Sequence, residues 1–301
     1  MNPMEIKGLK INKILNSLSF LTNFLNLIKF EHSVFALPFA LSGAILAGKN
    51  GLPKLTTIFW IILACISARS FAMSINRIID KDIDLKNPRT KDRELPQKII
   101  STNQAVLFSI ISLIILIYAT HELPRICLLL LPIAALWFFI YPFTKRFTSL
   151  SHLWLGVALG ASPLAGWLAC GGEATSPIPY VLGLAVVFWV SGFDIIYACQ
   201  DYKFDKENDL HSIPKKFGIK NALLISRIFH FVSVFFLAIL ACFIHASFIY
   251  WLSVLFVSLM LYYEQSLVKE NDLTKVNLAF FTVNGWISVG FFIFILLEKL
   301  I

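Results

Sequence analysis

The sequence predicts an all-α, polytopic membrane protein with about nine transmembrane helices in a single domain that covers residues 1–301. Of its residues 57% are hydrophobic and only 15% are charged, whereas soluble domains carry about 25% charged residues. The mean hydropathy is +0.75, and the charges cluster between long apolar stretches. This composition excludes an ordinary soluble domain and is typical of a chain that crosses a bilayer several times.

Nine apolar stretches, several of them near the ~20 residues that cross a bilayer, define the predicted helices. They cover residues 24–48, 56–79, 103–120, 124–140, 151–171, 179–200, 222–243, 247–264 and 276–298. The third and fourth are short and are separated only by His121-Glu122-Leu123. We therefore expect these two to form a helical hairpin.

The basic residues predict the orientation in the membrane. Most of the 26 Lys and Arg residues precede the first span or lie in alternate loops, above all in 80–102 and 201–221. By the positive-inside rule, these loops and the N-terminal segment 1–23 are cytoplasmic, in what we expect to be a bacterial inner membrane. The net charge of +8 follows this topology, so no nucleic-acid partner is expected. Loops of this length are usually functional.

An acidic pattern lies at the cytoplasmic end of the second predicted span. On a helix, Asn76, Asp80 and Asp84 follow at four-residue intervals and lie within about 80° of one another. The alternative interpretation is a solvated helix end. Against it, the pattern begins inside an apolar stretch, where ionisable residues are costly and commonly functional. It therefore predicts a row of oxygen ligands.

A second acidic pattern lies at the same end of the sixth predicted span. If the helix is regular, Asp194, Asp201 and Asp205 lie within ~40° of arc, and Asp209 extends the row if the helix continues. Asp194 alone could be a buried carboxylate with a structural partner. Two such rows on one side of the membrane are harder to explain without chemistry.

Two facing rows of carboxylates predict a magnesium site for a diphosphate. Mg²⁺ prefers oxygen ligands and commonly binds one or two carboxylates together with phosphate oxygens and water. Basic residues of the same loops, Arg89, Arg93 and Lys203, can donate charge-assisted hydrogen bonds to phosphate. Each of them could instead serve only the topology.

A third candidate element is the short loop after the fourth predicted span, which contains Tyr141, Lys145 and Arg146. Tyr141 and Lys145 are one helical turn apart if this loop begins the next helix. The lysine could bind diphosphate and the tyrosine ring could stabilise a cation. An interfacial tyrosine beside topogenic basic residues is the alternative.

These patterns resemble the UbiA superfamily of intramembrane prenyltransferases over nearly the whole chain. The family signatures NxxxDxxxD, YxxxK and DxxYAxxDxxxD are matched by Asn76, Asp80, Asp84, Tyr141, Lys145, Asp194, Tyr197, Ala198, Asp201 and Asp205. Four short stretches resemble the 4-hydroxybenzoate polyprenyltransferase-like group in particular: 29–39, 87–90, 210–214 and 277–281.

The resemblance implies helices around a central cavity, capped by the two acidic loops. It implies transfer of a polyprenyl group from polyprenyl diphosphate, with Mg²⁺, through an allylic carbocation to an aromatic hydroxy acid of ubiquinone or menaquinone biosynthesis. In this reading Asn76, Asp80, Asp84, Asp201 and Asp205 hold metal, and Tyr197 binds substrate. The acceptor is either 4-hydroxybenzoate or, in the futalosine route, 1,4-dihydroxy-6-naphthoate. Arg69 is a candidate partner for its carboxylate, or else packs against a helix carbonyl or another carboxylate.

Other classes fit less well. An ion-coupled transporter would place its carboxylates near the membrane midplane, whereas here they lie at one interface. A membrane phosphatidyltransferase would carry a DxxDGxxAR sequence, which the chain lacks. The hydropathy excludes a soluble-type isoprenoid synthase.

Overall fold

The computed structural model describes residues 22–29, 35–48 and 51–301, and within these ranges the chain is helical, with one isolated bridge between Lys269 and Asp272. Eight of the described helices are long and apolar enough to cross a membrane, and a ninth apolar helix, Leu37–Ala47, is shorter. The predicted class, an all-α membrane protein with about nine helices, is confirmed. The N-terminal segment up to residue 21 lies outside the described residues.

The helices are numbered here in chain order. They are α1 Leu37–Ala47, α2 Leu55–Lys86, α3 Thr102–His121, α4 Arg125–Thr144, α5 Ser151–Ala169, α6 Ile178–Ala198, α7 Tyr202–Glu207, α8 Ile213–Ile244, α9 Phe248–Ser266 and α10 Asn284–Leu300. A 3₁₀ turn, Cys199–Asp201, joins α6 to α7, and a π-helical turn, Leu278–Val283, leads into α10.

The predicted first span, 24–48, is not one helix. Residues 22–27 are helical, a turn follows at 28–29, and Lys29 has a φ of 48°. The next described helix begins at Leu37 with Pro38 in its first turn, a position that favours helix initiation because proline has no N–H to leave unpaired.

Two predicted loop boundaries are also wrong, and both corrections extend helices toward the charged side. Helix α4 continues to Thr144, so Tyr141 lies in the last turn of this helix and does not begin the next one. Helix α8 begins at Ile213 instead of 222, because the Ser212 side chain caps it and Pro214 follows. A break at Gly218, with φ 79° and ψ 160°, interrupts α8. Much of 201–221 is therefore helix.

Helix α6 lies at the centre of the bundle and carries the second acidic segment at its end. It packs closely on α5, where Gly156 and Gly160 face α6: a Cβ on Gly160 would lie 2.7 Å from the Gly183 carbonyl oxygen. The α3–α4 hairpin forms as predicted, and its Ile114, Leu129 and Ile133 are exposed, as expected for side chains that face lipid. This arrangement fixes α6 while leaving its charged end open to the loops.

Candidate active site

The first acidic segment is the last three turns of α2, and it is closely paired with cations. Asp80 is 3% exposed. Its carboxylate accepts hydrogen bonds from Lys145 Nζ at 2.6 Å and Arg146 Nη2 at 3.5 Å. Asn76 Nδ2 lies 3.4 Å from Asp80 Oδ2, as their four-residue spacing predicts. The Tyr141–Arg146 element thus binds directly to the first acidic segment.

Asp84, one turn beyond Asp80, has cations of its own. Arg93 Nη1 lies 2.8 Å from each Asp84 carboxylate oxygen, and Arg77 Nη1 lies 3.9 Å from Oδ2. Thr90 Oγ1 donates to the Asp84 carbonyl at 3.0 Å, which holds the 87–101 loop over the helix end. Arg77 was not among the predicted site residues, although a basic residue inside an apolar span was a signal for it.

The second acidic segment does not lie on one regular helix as the sequence prediction assumed, because the 3₁₀ turn Cys199–Asp201 joins α6 to α7. Its three carboxylates have separate partners. Asp194 Oδ2 lies 2.7 Å from His152 Nδ1, and Asp205 Oδ2 accepts from Ser212 Oγ at 2.7 Å. Asp209 does not extend the row: it lies beyond α7, its φ is 52°, and its side chain is exposed.

Arg89 and Asn87 join the two acidic segments. Arg89 donates to both Asp201 oxygens, at 2.9 and 2.5 Å, and to the Tyr197 hydroxyl at 2.8 Å. Asn87 Nδ2 donates to Asp201 Oδ1 at 2.9 Å. Burial lowers the pKa of Arg89, but the hydrogen bond and charge of Asp201 outweigh it and raise the pKa above its usual value. The loop after α2 is therefore bound to the end of α6.

Lys145 lies between the two segments. In addition to its hydrogen bond with Asp80, Lys145 interacts electrostatically with Asp205. Its backbone carbonyl accepts from His211 N at 2.7 Å, so the end of α4 is tied to the start of α8. Tyr141, one turn earlier, interacts electrostatically with both Asp80 and Asp194. The structure thus gathers both acidic segments and the YxxxK element into one layer.

Two predicted residues lie apart from this layer. Lys203 is on the exposed face of α7, whereas Asp205, two residues further on, is buried. Arg69 Nη2 donates to the Lys29 carbonyl at 3.3 Å, which agrees with the more ordinary of its two predicted roles, packing against a backbone carbonyl. Substrate roles for both stay predictions.

Four residues that were not predicted as site residues support the layer: Arg77, Asn87, His152 and Ser212. His152 is 3% exposed, and its Nε2 accepts from Ile213 N at 3.4 Å, so its ring connects α5, α6 and α8. Asn87 and Ser212 lie in the short stretches 87–90 and 210–214, which resemble the 4-hydroxybenzoate polyprenyltransferase-like group. That resemblance could have indicated these two residues, whereas a single histidine far from the others in sequence gave no indication of a site.

The oxygen donors fit magnesium in chemistry, although each carboxylate already has a partner. Within the described ranges, no three His, Cys, Asp or Glu side chains form a ready-made metal centre. The aspartates offer only hard oxygen ligands, and Asp80 interacts electrostatically with Asp84, as Asp201 does with Asp205. Mg²⁺ shared with substrate phosphate needs only one or two carboxylates, so this donor set suffices.

An open pocket of about 410 Å³ adjoins the layer on the side of Asp205. It is lined by Phe147, Thr148, Ser149, His211, Ser212, Lys215 and Lys216. Because Ser212 also donates to Asp205, the pocket reaches the second acidic segment. Its lysines and hydroxyls make it a suitable surface for anions.

Comparison with known sequences identifies relatives over most of the chain. The profile of the UbiA prenyltransferase family matches residues 36–293. A 4-hydroxybenzoate octaprenyltransferase of Marinomonas sp. is 31% identical over 205 residues, which is 66% of this chain and 70% of the relative. One from Coxiella burnetii is 29% identical over 276 residues, 91% of this chain and 94% of the relative.

Solved structures share the fold. The apo structure of a UbiA homolog from Aeropyrum pernix K1 superposes with a TM-score of 0.76 at 29% identity, and covers 88% of this chain and 95% of that one. A UbiA homolog from Archaeoglobus fulgidus, solved bound to DMAPP and Mg²⁺, has a TM-score of 0.74 at 21% identity, and covers 93% and 99%.

Proposed function

The chain belongs to the UbiA prenyltransferase family, and from this premise we propose that it transfers a polyprenyl group from polyprenyl diphosphate to an aromatic hydroxy acid, first of all 4-hydroxybenzoate. The observation that carries the proposal is the layer in which Arg89 and Asn87 join Asp201 to the loop that follows Asp84. The relatives named 4-hydroxybenzoate octaprenyltransferase support the acceptor and make an octaprenyl donor the first to test.

The diphosphate of the donor binds in this layer by an exchange of partners. Lys145, Arg89 and Arg93 each hold a carboxylate, and each can turn its N–H groups toward phosphate oxygens instead. Charge-assisted hydrogen bonds to phosphate are strong, and the fork of an arginine suits two oxygens at once. The carboxylates released by this exchange become available as ligands.

Asp80, Asp84, Asp201 and Asp205, with Asn76, are the residues that would hold Mg²⁺. When bound, the metal neutralises charge on the diphosphate and stabilises it as a leaving group. The hard oxygen chemistry of these residues supports the assignment.

We assign Tyr141 to the developing allylic cation, because the Tyr197 ring already has Phe280 stacked on it and the Arg89 guanidinium over it, 4.8 Å from the ring centroid. Tyr197 stacks on Phe280, with ring centroids 4.1 Å apart, and its hydroxyl is held by Arg89. Tyr141 interacts electrostatically with Asp80 and Asp194. An aromatic face attracts a cation but does not trap it covalently, so the Tyr141 ring stabilises the cation until the acceptor attacks, whereas Tyr197 serves substrate binding through its contact with Arg89.

Asp194 and His152 act on the acceptor. The Asp194 side chain is 17% exposed and that of His152 is 4% exposed, so Asp194 can reach a substrate while His152 fixes its orientation. We assign Asp194 the phenolic proton of the acceptor, because loss of that proton makes the ring more electron-rich. Arg69 stays the candidate for the acceptor carboxylate, and 1,4-dihydroxy-6-naphthoate stays the alternative acceptor.

The proposed setting is a bacterial inner membrane with the acidic layer on the cytoplasmic side, supported by the distribution of Lys and Arg. Single cysteines at Lys91 and Lys216, both exposed, test it in a background without the five native cysteines. An impermeant thiol reagent should label them in lysed cells and not in intact ones. Labelling of both positions in intact cells would reverse the orientation.

The function is tested by incubating the purified protein with Mg²⁺, a labelled octaprenyl diphosphate and a panel of phenolic and naphthoic acids. Product mass identifies the acceptor and the transferred tail together. We expect a prenylated 4-hydroxybenzoate that requires both Mg²⁺ and the intact Asp201/Asp205 pair. Wild-type protein that prenylates no aromatic acid in the panel would contradict the proposal.

A further inference from the structure

A second buried polar cluster lies outside the acidic layer, where the last turn of α9 meets the start of α10. Glu264 and Asn284 are both 0% exposed. Asn284 Nδ2 lies 3.1 Å from Glu264 Oε1. Polar and ionisable residues in membrane helices are rare because their burial is costly, and they often have a function. The cluster takes no part in the reaction described above.

Asn284 holds an irregular turn in place. Its Nδ2 also lies 3.0 Å from the Ala279 carbonyl and 3.2 Å from the Phe280 carbonyl, while its Oδ1 accepts from Trp189 Nε1 at 2.6 Å. Both carbonyls belong to the π-helical turn Leu278–Val283. Such turns occur mostly as single interruptions of α-helices, and they are frequent at functional sites. One amide side chain therefore fixes this turn against α6 and α9.

The π-helical turn reaches the proposed active site through Phe280. The Phe280 ring stacks on Tyr197 at 4.1 Å, and the Tyr197 hydroxyl accepts from Arg89 at 2.8 Å. Arg89 in turn holds both oxygens of Asp201. A continuous series of contacts thus runs from Glu264 to the second acidic segment.

The neighbouring residue on α9 makes a parallel connection to α6. Gln265 Nε2 donates to Ser226 Oγ at 2.8 Å, and Ser226 Oγ donates to the Gly192 carbonyl at 2.8 Å. Gly192 lies two residues before Asp194. The end of α9 is therefore connected to α6 through two intermediates, Asn284 and Ser226, and only the Asn284 route includes Glu264 and the π-helical turn.

The stability of the bundle does not account for Glu264. Among the described residues it forms no ion pair within 4.0 Å, and its Oε2 is buried without a hydrogen-bond partner. A buried carboxyl group without a cation or a full set of hydrogen bonds is costly. An apolar side chain of similar size would avoid that cost, so the residue calls for an explanation beyond packing.

We propose that Glu264 and Asn284 are positioning residues for prenyl transfer, which set Tyr197 and Arg89 against Asp201 through the π-helical turn and Phe280. This inference rests on the proposed function. It concerns the diphosphate side of the site, because Arg89 and Asp201 lie there, and it leaves the Asp194–His152 side unchanged.

The test compares Glu264→Leu and Asn284→Leu with wild type. Each should raise the apparent KM for the prenyl diphosphate about 5–20-fold, since small misplacements of binding groups are costly, while the KM for the aromatic acid stays near wild type. Glu264→Gln should restore the wild-type KM, because its amide oxygen can still accept from Asn284. Ser253→Ala, whose hydroxyl bonds only the Tyr250 carbonyl, is the matched buried control on α9.

Phe280→Leu should reproduce the same selective rise in KM without touching the buried cluster, and it carries the test if a leucine variant does not fold. A purely structural role predicts a lower melting temperature and a smaller active fraction, with both KM values unchanged, and that result would overturn the inference. Binding of labelled prenyl diphosphate with Mg²⁺, measured without acceptor, gives the same comparison if no acceptor is turned over. A failure of the proposed function is thereby kept separate from a failure of this inference.

Discussion

The two acidic segments each lie at the end of a long helix, but they differ in how the charge of their carboxylates is balanced. At the end of α2, the Asp80 and Asp84 side chains are 4% and 6% exposed and each is paired with cations. At the end of α6, Asp201 is 16% exposed, and Asp194 and Asp205 are held by His152 and Ser212. The carboxylates of the first segment are thus buried, and one of their cations, Arg77, is buried with them, whereas the second segment is a group of separately held carboxylates of which Asp201 is the more accessible.

This difference predicts a division of roles within one site. Removing a carboxylate from a buried ion pair leaves a buried cation unpaired and destabilises the fold. Removing a carboxylate whose partners are hydroxyl groups, amides or exposed cations leaves less buried charge unpaired. Asp84, whose partner Arg77 is buried, should therefore be needed for both stability and activity, and the second segment mainly for activity.

The largest expected effect is on turnover by the double variant Asp201→Ala/Asp205→Ala. Loss of both carboxylates removes the metal ligands of the second segment and should reduce kcat/KM about 10³-fold or more. The melting temperature in detergent should change little. Near-normal activity in this variant would contradict a site shared by the two segments.

The next effect is on stability, and it separates the two segments. Asp84→Ala leaves Arg77, which is 4% exposed, without its nearby carboxylate, and should lower the free energy of unfolding by ~3–5 kcal/mol. Asp201→Ala is the matched control, because its partner Arg89 is 28% exposed in its side chain and can be hydrated. Equal losses of thermal stability in the two variants would show that the two segments do not differ in their contribution to stability.

Tyr141 and Lys145 test whether one turn serves both the cation and the diphosphate. Tyr141→Leu should lose about 10–100-fold in kcat, whereas Tyr141→Phe should retain much of the rate because the ring face survives. Lys145→Met should instead raise the KM for the prenyl diphosphate. If Tyr141→Phe lowers kcat as much as Tyr141→Leu, the rate depends on the hydroxyl group and not on the ring. If all three variants resemble wild type, this turn has no part in the site.

The smallest effect tests the predicted role of Lys203. Since Lys203 lies on the exposed face of α7, Lys203→Ala should change the KM for the prenyl diphosphate less than about twofold. Arg89→Lys, which keeps the charge but loses the fork that holds Asp201 and Tyr197, should raise it about tenfold. A larger effect at Lys203 than at Arg89 would mean that α7 rotates when substrate binds.

Spacing in the sequence predicted the first segment better than the second. Asn76, Asp80 and Asp84 lie on a regular helix, so four-residue intervals placed them correctly. The prediction for Asp194, Asp201 and Asp205 assumed a regular helix, whereas a 3₁₀ turn at Cys199–Asp201 interrupts it, and helical periodicity carries no signal for such a turn. Side-chain partners from distant positions, such as His152 for Asp194, depend on tertiary packing that local sequence does not encode.

The end of α4 is an instructive intermediate case. The spacing of Tyr141 and Lys145 was interpreted correctly as one turn, but they were assigned to the wrong helix, since hydropathy falls before the helix ends. The charged ends of a membrane helix continue into the membrane–water interface. There the amino-acid composition of a helix resembles that of a loop. The same effect explains why α8 begins at Ile213 and not at 222.

The most direct measurement of the central claim is equilibrium binding of a labelled prenyl diphosphate to the purified protein, with and without Mg²⁺ and without acceptor. A site shared by both segments predicts Mg²⁺-dependent binding in the wild type. Binding should be lost in the Asp201→Ala/Asp205→Ala variant and equally lost in Asp80→Asn, which keeps a side chain of similar size. Unchanged, Mg²⁺-dependent binding in either variant would contradict it.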